Sequence, residues 1–168
     1  EFETPIGKNK PRPNIFAFGD DGIGMDADVL QKCLVLGEST RTNDRKGIGR
    51  FGVGMTNGAI SLCTKIEVYS RPKQGNWNYV RLDLKDLEDD APFITFVEEK
   101  PLPDKYKNLV GDYGTLVIWS NVDRISSSFS SKDLNHWLSR TFRKFIGEKI
   151  IQNEELIDNP NKVSIFVN

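Results

Sequence analysis

The chain has 168 residues, of which 28% are charged and 38% hydrophobic, and its formal net charge is −1. This is the composition of a globular domain large enough to bury a core. The balanced charge argues neither for nor against a nucleic-acid partner, and no run of about 18 apolar residues predicts a membrane helix. Two cysteines, Cys33 and Cys63, predict neither a disulfide framework nor a zinc site. We expect both to be buried thiols in a reducing, cytoplasmic compartment.

The first predicted elements are a strand and a helix on either side of a glycine-rich stretch. Residues 14–18, "NIFAF", form a short apolar run that predicts a buried strand ending at a Gly-Asp turn. The stretch "DDGIGM" follows at 20–25. Asp26 is then a good N-cap, apolar residues recur at helical spacing from Val29 to Leu34, and Gly37 is expected to close the helix.

A second glycine-rich stretch, "GIGRFGVGM" at 47–55, follows a polar loop over residues 38–46 that we expect to be mobile. It opens another predicted helix, from Met55 to about Leu62. Neither stretch resembles a solvated linker, because each leads directly into an apolar-periodic segment. The glycines therefore look placed for their backbone geometry.

The remainder of the chain is rich in predicted strands. A hairpin pairs residues 65–71 with 77–84, and further strands are predicted over 93–99, 114–120 and 162–168. Residues 130–150 predict one amphipathic helix whose apolar face comprises Leu134, Trp137, Leu138, Phe142, Phe145 and Ile146. This order predicts an α+β fold, a two-layer sandwich with helices on one face of a mixed sheet. We expect residues 1–168 to form a single domain that is truncated at both ends.

The two glycine-rich stretches together suggest a nucleotide site. Glycines alone are common in turns, and the second stretch lacks the Gly-Lys-Ser/Thr ending of a P-loop. However, an aspartate at the end of a buried strand, followed by Gly-x-Gly, can accept a hydrogen bond from an amino group on a flat ring that approaches the backbone. Adenine carries such a group. A glycine turn that opens a helix can offer N–H groups to a phosphate.

Three motifs in this order resemble the gyrase, heat-shock chaperone, histidine kinase and MutL (GHKL) ATPase superfamily, the Bergerat fold. "DDGIGM" is similar to its Asp-x-Gly-x-Gly box, "GRFGVG" at 49–54 to its Gly-x-x-Gly-x-Gly box, and Gly114–Thr115 to its third box. The resemblance covers about residues 14–168. Its details are most similar to chaperone-like and microrchidia-like members.

The resemblance implies ATP and Mg²⁺ as cofactors and assigns roles to individual positions. Asp20 would bind the adenine amino group, Gly22 and Gly24 would line the adenine edge, and Met25 would pack on the ring. Thr115 would reach Asp20 or an ordered water. The phosphate-facing turn would comprise Gly49, Arg50, Phe51, Gly52, Val53 and Gly54.

One family element is missing from the sequence. The resemblance implies an upstream helix with a catalytic glutamate and a magnesium-binding asparagine, but residues 1–13 contain no Glu-x-x-x-Asn, and Pro5 and Gly7 would not sustain a helix. No catalytic residue and no metal ligand is therefore assigned. We expect this chain to be a fragment that does not hydrolyse ATP by itself.

Three functions remain open from the sequence. The first is an ATP-binding domain that drives an ATP-dependent conformational cycle in a longer protein that dimerises. The second is a module that senses the nucleotide without hydrolysing it. The third is the catalytic domain of a sensor histidine kinase.

Overall fold

The computed structural model describes residues 14–38, 52–87, 96–125, 130–152, 155–158 and 163–166. The chain divides into two compact units, Glu1–Ile125 and Ser126–Asn168, and each is described by itself. That the whole chain acts as one domain stays a prediction. In the part of the chain that the structure describes, no helix is long and apolar enough to span a membrane.

A five-stranded sheet organises the described part of the first unit, in the order β1-β5-β2-β3-β4. The strands are β1 (Ile15–Asp20), β2 (Cys63–Arg71), β3 (Asn78–Asp83), β4 (Glu98–Glu99) and β5 (Gly114–Val122). The predicted strand over 14–18, the hairpin and the strand over 114–120 are confirmed. Of the strand predicted over 93–99, residues 98 and 99 are extended as β4, and 93–95 lie outside the described residues.

The α+β sandwich class is confirmed, and the strand pairings refine it. Each pair within the described sheet is antiparallel, whereas the sequence predicts a mixed sheet. The link between β2 and β3 is only residues 72–77, which is too short for the crossover that a parallel pair requires. β5 then lies between β1 and β2 and runs antiparallel to both.

Two short helices, α1 (Ala27–Lys32) and α2 (Gly54–Ile60), pack on one face of the sheet, as predicted. Strand alternation points Ile66 and Val68 of β2 towards them, where they join a buried cluster with Leu30 and Ala59. The opposite face is covered as well. There a 3-10 helix, Asp104–Leu109, packs its Tyr106 into a second cluster with residues of β2, β3 and β5.

The beginning of α1 agrees with the prediction, and its end does not. The Asp26 side chain accepts a hydrogen bond from the Val29 N–H at 2.9 Å and caps the helix. The helix ends at Lys32, well before Gly37, because the chain tightens into a turn in which the Cys33 N–H donates to the Leu30 carbonyl. Leu34 is nevertheless buried beyond the helix end. The second predicted helix is confirmed, shifted slightly towards the N-terminus, as α2.

The second unit departs most from the prediction. In place of one helix over 130–150, the chain forms α3 (Ser131–Thr141), α4 (Arg143–Ile146) and a hairpin of β6 (Lys149–Gln152) with β7 (Glu155–Asp158). The β-branched pair Ile150–Ile151 favours a strand over a helix. Trp137, assigned to the apolar face, is 72% exposed. The strand predicted over 162–168 is wrong for residues 163–166, which have no regular structure.

Candidate nucleotide site

Four polar residues line up across the end of the sheet, on the face that carries α1 and α2. Asp20 of β1 pairs with Thr115 of β5, Thr115 pairs with Ser70 of β2, and Ser70 pairs with Asn78 of β3. Residues directly opposite each other in antiparallel strands project to the same face. We call Asp20, Thr115, Ser70 and Asn78 the polar row. The sheet therefore presents a line of hydrogen-bonding groups that crosses its strands near their ends.

The next rows on this face are apolar. On each strand, the residue two positions from the polar row, towards the middle of the sheet, is apolar. We call these four residues, which pair with one another, the apolar row: Phe18, Val117, Val68 and Val80. Val68 and Val80 are fully buried beneath the helices, and Phe18 is 43% exposed. Its ring packs edge-on against Trp119, with 4.9 Å between the ring centroids. An apolar surface thus lies directly beside the polar row.

Ser70 connects the polar row to the first glycine-rich stretch. Its hydroxyl is fully buried, accepts a hydrogen bond from the Met25 N–H at 2.8 Å, and lies 3.0 Å from the Thr115 hydroxyl. It also donates to the Gly114 carbonyl at 3.1 Å. These bonds hold the end of the "DDGIGM" stretch against β2 and link it through Ser70 to β5. Ser70 was not predicted from the sequence as part of the site.

Asp20 is the open end of the polar row. Its Oδ1 accepts a hydrogen bond from the Gly22 N–H at 2.9 Å, and a side chain at Gly22 would crowd that oxygen. Oδ2 makes no hydrogen bond within the described residues. Partial burial raises the pKa of the Asp20 carboxyl, the Gly22 N–H opposes this rise, and the neighbouring Asp21 adds to it. No described residue therefore occupies this carboxylate oxygen, which can accept a hydrogen bond from a ligand.

Gly24 allows the loop after Asp20 to lie against β2. It has φ +70°, and a Cβ there would overlap the carbonyl oxygen of Arg71. A residue with a side chain would be strained in this conformation and would also be displaced. The next residue, Met25, packs its partly buried side chain against the core cluster below α1. Its predicted contact with an adenine ring stays a prediction.

The second glycine-rich stretch is described only from Gly52 onwards. Gly52 has φ +64°, and its carbonyl accepts a hydrogen bond from the Gly37 N–H at 3.3 Å, which joins the two ends of the intervening segment. Val53 is partly exposed and precedes α2, and Gly54 is the first residue of that helix. Gly49, Arg50 and Phe51 lie outside the described residues, as does most of the loop expected to be mobile.

The structure thus brings five of the predicted residues together and places three others elsewhere. Asp20, Gly22, Gly24, Met25 and Thr115 meet at the polar row. Gly52, Val53 and Gly54 stand beside the turn that follows α1.

No metal ligand is assigned among the described residues. Mg²⁺ prefers oxygen ligands, chiefly carboxylates, in a compact octahedral arrangement. Within the described part of the chain, no group of three or more His, Cys, Asp and Glu side chains could hold a metal. We therefore assign no magnesium ligand and derive no chemical step through Mg²⁺.

An antiparallel sheet with helices on one face and an acidic residue followed by Gly-x-Gly at its edge defines a nucleotide-binding domain of the GHKL type. The family model for histidine kinase-, DNA gyrase B- and HSP90-like ATPases matches residues 5–110, which is more than half of the chain. The chain belongs to this family. The match includes both glycine-rich stretches and ends before Gly114–Thr115.

Three plant proteins show the branch of the family to which the chain is similar. It is 38% identical to MICRORCHIDIA 3 over 58 residues, 30% identical to MICRORCHIDIA 1 over 118 and 29% identical to MICRORCHIDIA 5 over 76, all from Arabidopsis thaliana. These alignments cover 34%, 61% and 45% of this chain, respectively. They span only 10%, 18% and 11% of the relatives. The predicted microrchidia-like resemblance is confirmed.

Proposed function

We propose that this domain binds ATP or ADP with the adenine base against the polar row and the apolar row beside it. The observation that supports this most directly is the Asp20 carboxylate, which has one oxygen that no described residue binds and lies directly opposite the buried Thr115, next to the Gly24 turn. The carboxylate would accept a hydrogen bond from the amino group of adenine. The half-exposed Phe18 and the partly buried Val117 offer apolar surface nearby.

The second glycine-rich stretch would bind the phosphates. Gly49, Arg50, Phe51, Gly52, Val53 and Gly54 would form the turn that faces them, as the family resemblance implies. Backbone N–H groups at a glycine-rich turn before a helix suit an anion. The resemblance also implies that Mg²⁺ binds with the triphosphate. No described residue is assigned as a ligand of this Mg²⁺.

For the longer protein, we propose an ATP-dependent conformational cycle with dimerisation, located in the cytoplasm. The support is family membership together with two separate free thiols, Cys33 and Cys63, which suit a reducing compartment. A nucleotide-sensing module without turnover is the second candidate. The similarity to three microrchidia proteins favours either of these over a sensor kinase domain.

Calorimetry with ADP and GDP on the 168-residue chain tests the proposal. ADP is the better probe because it lacks the γ-phosphate, so its binding depends least on a metal. Guanine carries a carbonyl where adenine carries its amino group. This carbonyl would face the Asp20 carboxylate, and two acceptors placed opposite each other cost about 1–3 kcal/mol, or about 5- to 150-fold in affinity. We expect ADP to bind more tightly than GDP by a factor in this range. Equal affinities, or no binding of ADP, would contradict the proposal.

A further inference from the structure

Ser70 occupies a position that neither the motifs nor the family match singles out. It is the innermost hydroxyl of the polar row, with 0% exposure, and it contacts three groups from two other segments of the chain. Those groups are the N–H of Met25, the carbonyl of Gly114 and the hydroxyl of Thr115. Because all three are short contacts, the single hydroxyl proton of Ser70 must be assigned among them.

Only one assignment satisfies the three contacts together. A hydroxyl has one proton to donate and two lone pairs that accept. The Met25 N–H can only donate, so it uses one lone pair of Ser70 Oγ at 2.8 Å. The Gly114 carbonyl can only accept, so it takes the Ser70 proton at 3.1 Å. The Thr115 hydroxyl must then donate its proton to the remaining lone pair, across 3.0 Å.

This assignment fixes what Thr115 can offer to a ligand. Its proton is directed inwards to Ser70, so only the lone pairs of Oγ1 remain. Asp20, directly opposite, also offers a carboxylate oxygen that accepts. The outer part of the polar row therefore consists of acceptors. A ligand atom that carries protons satisfies it, and a carbonyl oxygen does not.

We infer that Ser70 is a positioning residue for base selection: by taking the Thr115 proton, it makes the polar row specific for an amino group on the ligand. It does not touch the ligand itself. The inference rests on the proposed adenine site, since it explains how that site would distinguish an exocyclic amino group from a carbonyl. In the absence of Ser70, the Thr115 hydroxyl is free to rotate and to donate to a carbonyl.

The test compares ADP with IDP, in which a carbonyl replaces the amino group and the neighbouring ring nitrogen N1 carries a proton, a difference that is the same for wild type and variant. Wild type is expected to prefer ADP. In Ser70→Ala, the ratio of ADP to IDP affinity should fall about fivefold, the value of one hydrogen bond. The matched control is Tyr79→Phe, which removes the 2.9 Å bond from the Tyr79 hydroxyl to Glu67 on the opposite face of the same sheet. It should leave the ratio unchanged.

A second variant covers the case in which Ser70→Ala does not fold. Thr115→Val keeps the shape of the side chain and removes both its proton and its lone pairs, so the ratio should again fall, through weaker ADP binding. A folded Ser70→Ala with a wild-type ratio would overturn the inference. So would an unchanged ratio in Thr115→Val.

A measurement without nucleotide separates this inference from the proposed function. By NMR of the free chain, the Thr115 hydroxyl proton should be observable at low temperature with a cross-peak to the Ser70 side chain. The Met25 amide should exchange slowly in wild type and quickly in Ser70→Ala. If ADP fails to bind but both signals are found, the proposed function fails and the assignment of the protons stands. If the Thr115 proton is absent or points away from Ser70, the inference fails whatever binds.

Discussion

The polar row and the apolar row lie on the same four strands and the same face of the sheet, two residues apart. Val68 and Val80 of the apolar row are fully buried and belong to the core cluster beneath α1 and α2. In the polar row, Ser70 is equally buried, but its neighbours carry hydrogen bonds, and exposure increases through Thr115 to Asp20. Burial alone therefore does not distinguish residues that stabilise the fold from residues of the candidate site. The two rows differ because the polar row carries hydrogen-bonding groups that become accessible to solvent towards Asp20.

We therefore expect mutations in the two regions to affect different properties, the free energy of unfolding in one and nucleotide affinity in the other. Fully buried apolar positions, such as Val68 and Val80, should control the free energy of unfolding with little effect on nucleotide affinity. Polar-row positions and the loop that meets them should control nucleotide affinity and selectivity.

The largest expected effect is on stability, at Ile66, which lies on the same face one row beyond Val68. Ile66 is 1% exposed within the core cluster. Ile66→Ala should lower the free energy of unfolding by about 2–5 kcal/mol, from lost burial and the cavity that remains. Urea unfolding measures this, with Ile66→Val as the control at about 0.5–1.5 kcal/mol. A loss of ADP affinity in the fully folded Ile66→Val variant would contradict the separation of the buried core from the polar row.

The next effect concerns Asp20 and ADP affinity. Asp20→Asn replaces a charged acceptor with a neutral amide, and hydrogen bonds to charged groups contribute about 1.5–3 kcal/mol, or about 10- to 150-fold in affinity. Calorimetry should show a loss in this range. Asp21→Asn is the matched control, because Asp21 is exposed and outside the polar row, and it should bind ADP nearly as wild type does. Equal losses in both variants would show that only the net charge matters.

A smaller effect is expected at Gly24. Gly24→Ala forces a side chain into positive φ and against the Arg71 carbonyl, which should destabilise the fold by about 1–3 kcal/mol and weaken ADP binding. Gly58→Ala is the control, since a Cβ in that α2 position would meet only Trp119, at 4.0 Å. It should be neutral or slightly stabilising. Thermal unfolding with and without ADP distinguishes the two, and equal behaviour of both variants would argue against a required loop conformation.

Local patterns predicted the elements that local physics determines. Three features could be predicted: the apolar run of β1, the β2–β3 hairpin and the Asp26 cap. Strand alternation, turn residues and helix capping each depend on only a few neighbouring residues. The end of α1 and the β6–β7 hairpin could not. Helical spacing continues past Lys32, where the chain tightens into a turn, and past Ile146, where the β-branched pair Ile150–Ile151 lies in a strand instead.

Residues of the candidate site that lie in sequence motifs could be predicted, whereas a residue brought there by the strand order could not. Asp20 and Thr115 were found through their glycine neighbours, but Ser70 joins them only because β5 lies between β1 and β2, a long-range pairing. One signal in the sequence could have indicated Ser70. It follows Ile66 and Val68 at a spacing of two, so it is a polar residue on the apolar face of its strand.

The smallest expected effect is a pH dependence that separates Asp20 from an ordinary surface carboxylate. Because the pKa of Asp20 is raised, chiefly by partial burial, ADP affinity should begin to fall at a higher pH than for an unperturbed aspartate as the solution is acidified. Calorimetry across acid pH measures this, and Asp20→Asn should lack the decline.

The same shift has a consequence for stability with the opposite sign from that of most carboxylates. A native pKa above the unfolded value means that the native state binds more protons between the two values, so the contribution of Asp20 to stability falls as pH rises through that window. Asp20→Asn should therefore gain stability relative to wild type at neutral pH and lose that gain below the unfolded pKa. Asp104 provides the contrast, because its ion pair with Lys107 lowers its pKa, and Asp104→Asn should lose stability at neutral pH rather than gain it. Urea unfolding of both variants at neutral and acid pH measures the two signs. A loss of stability in Asp20→Asn at neutral pH would mean that the native state stabilises the ionised carboxylate, which would contradict the raised pKa of Asp20.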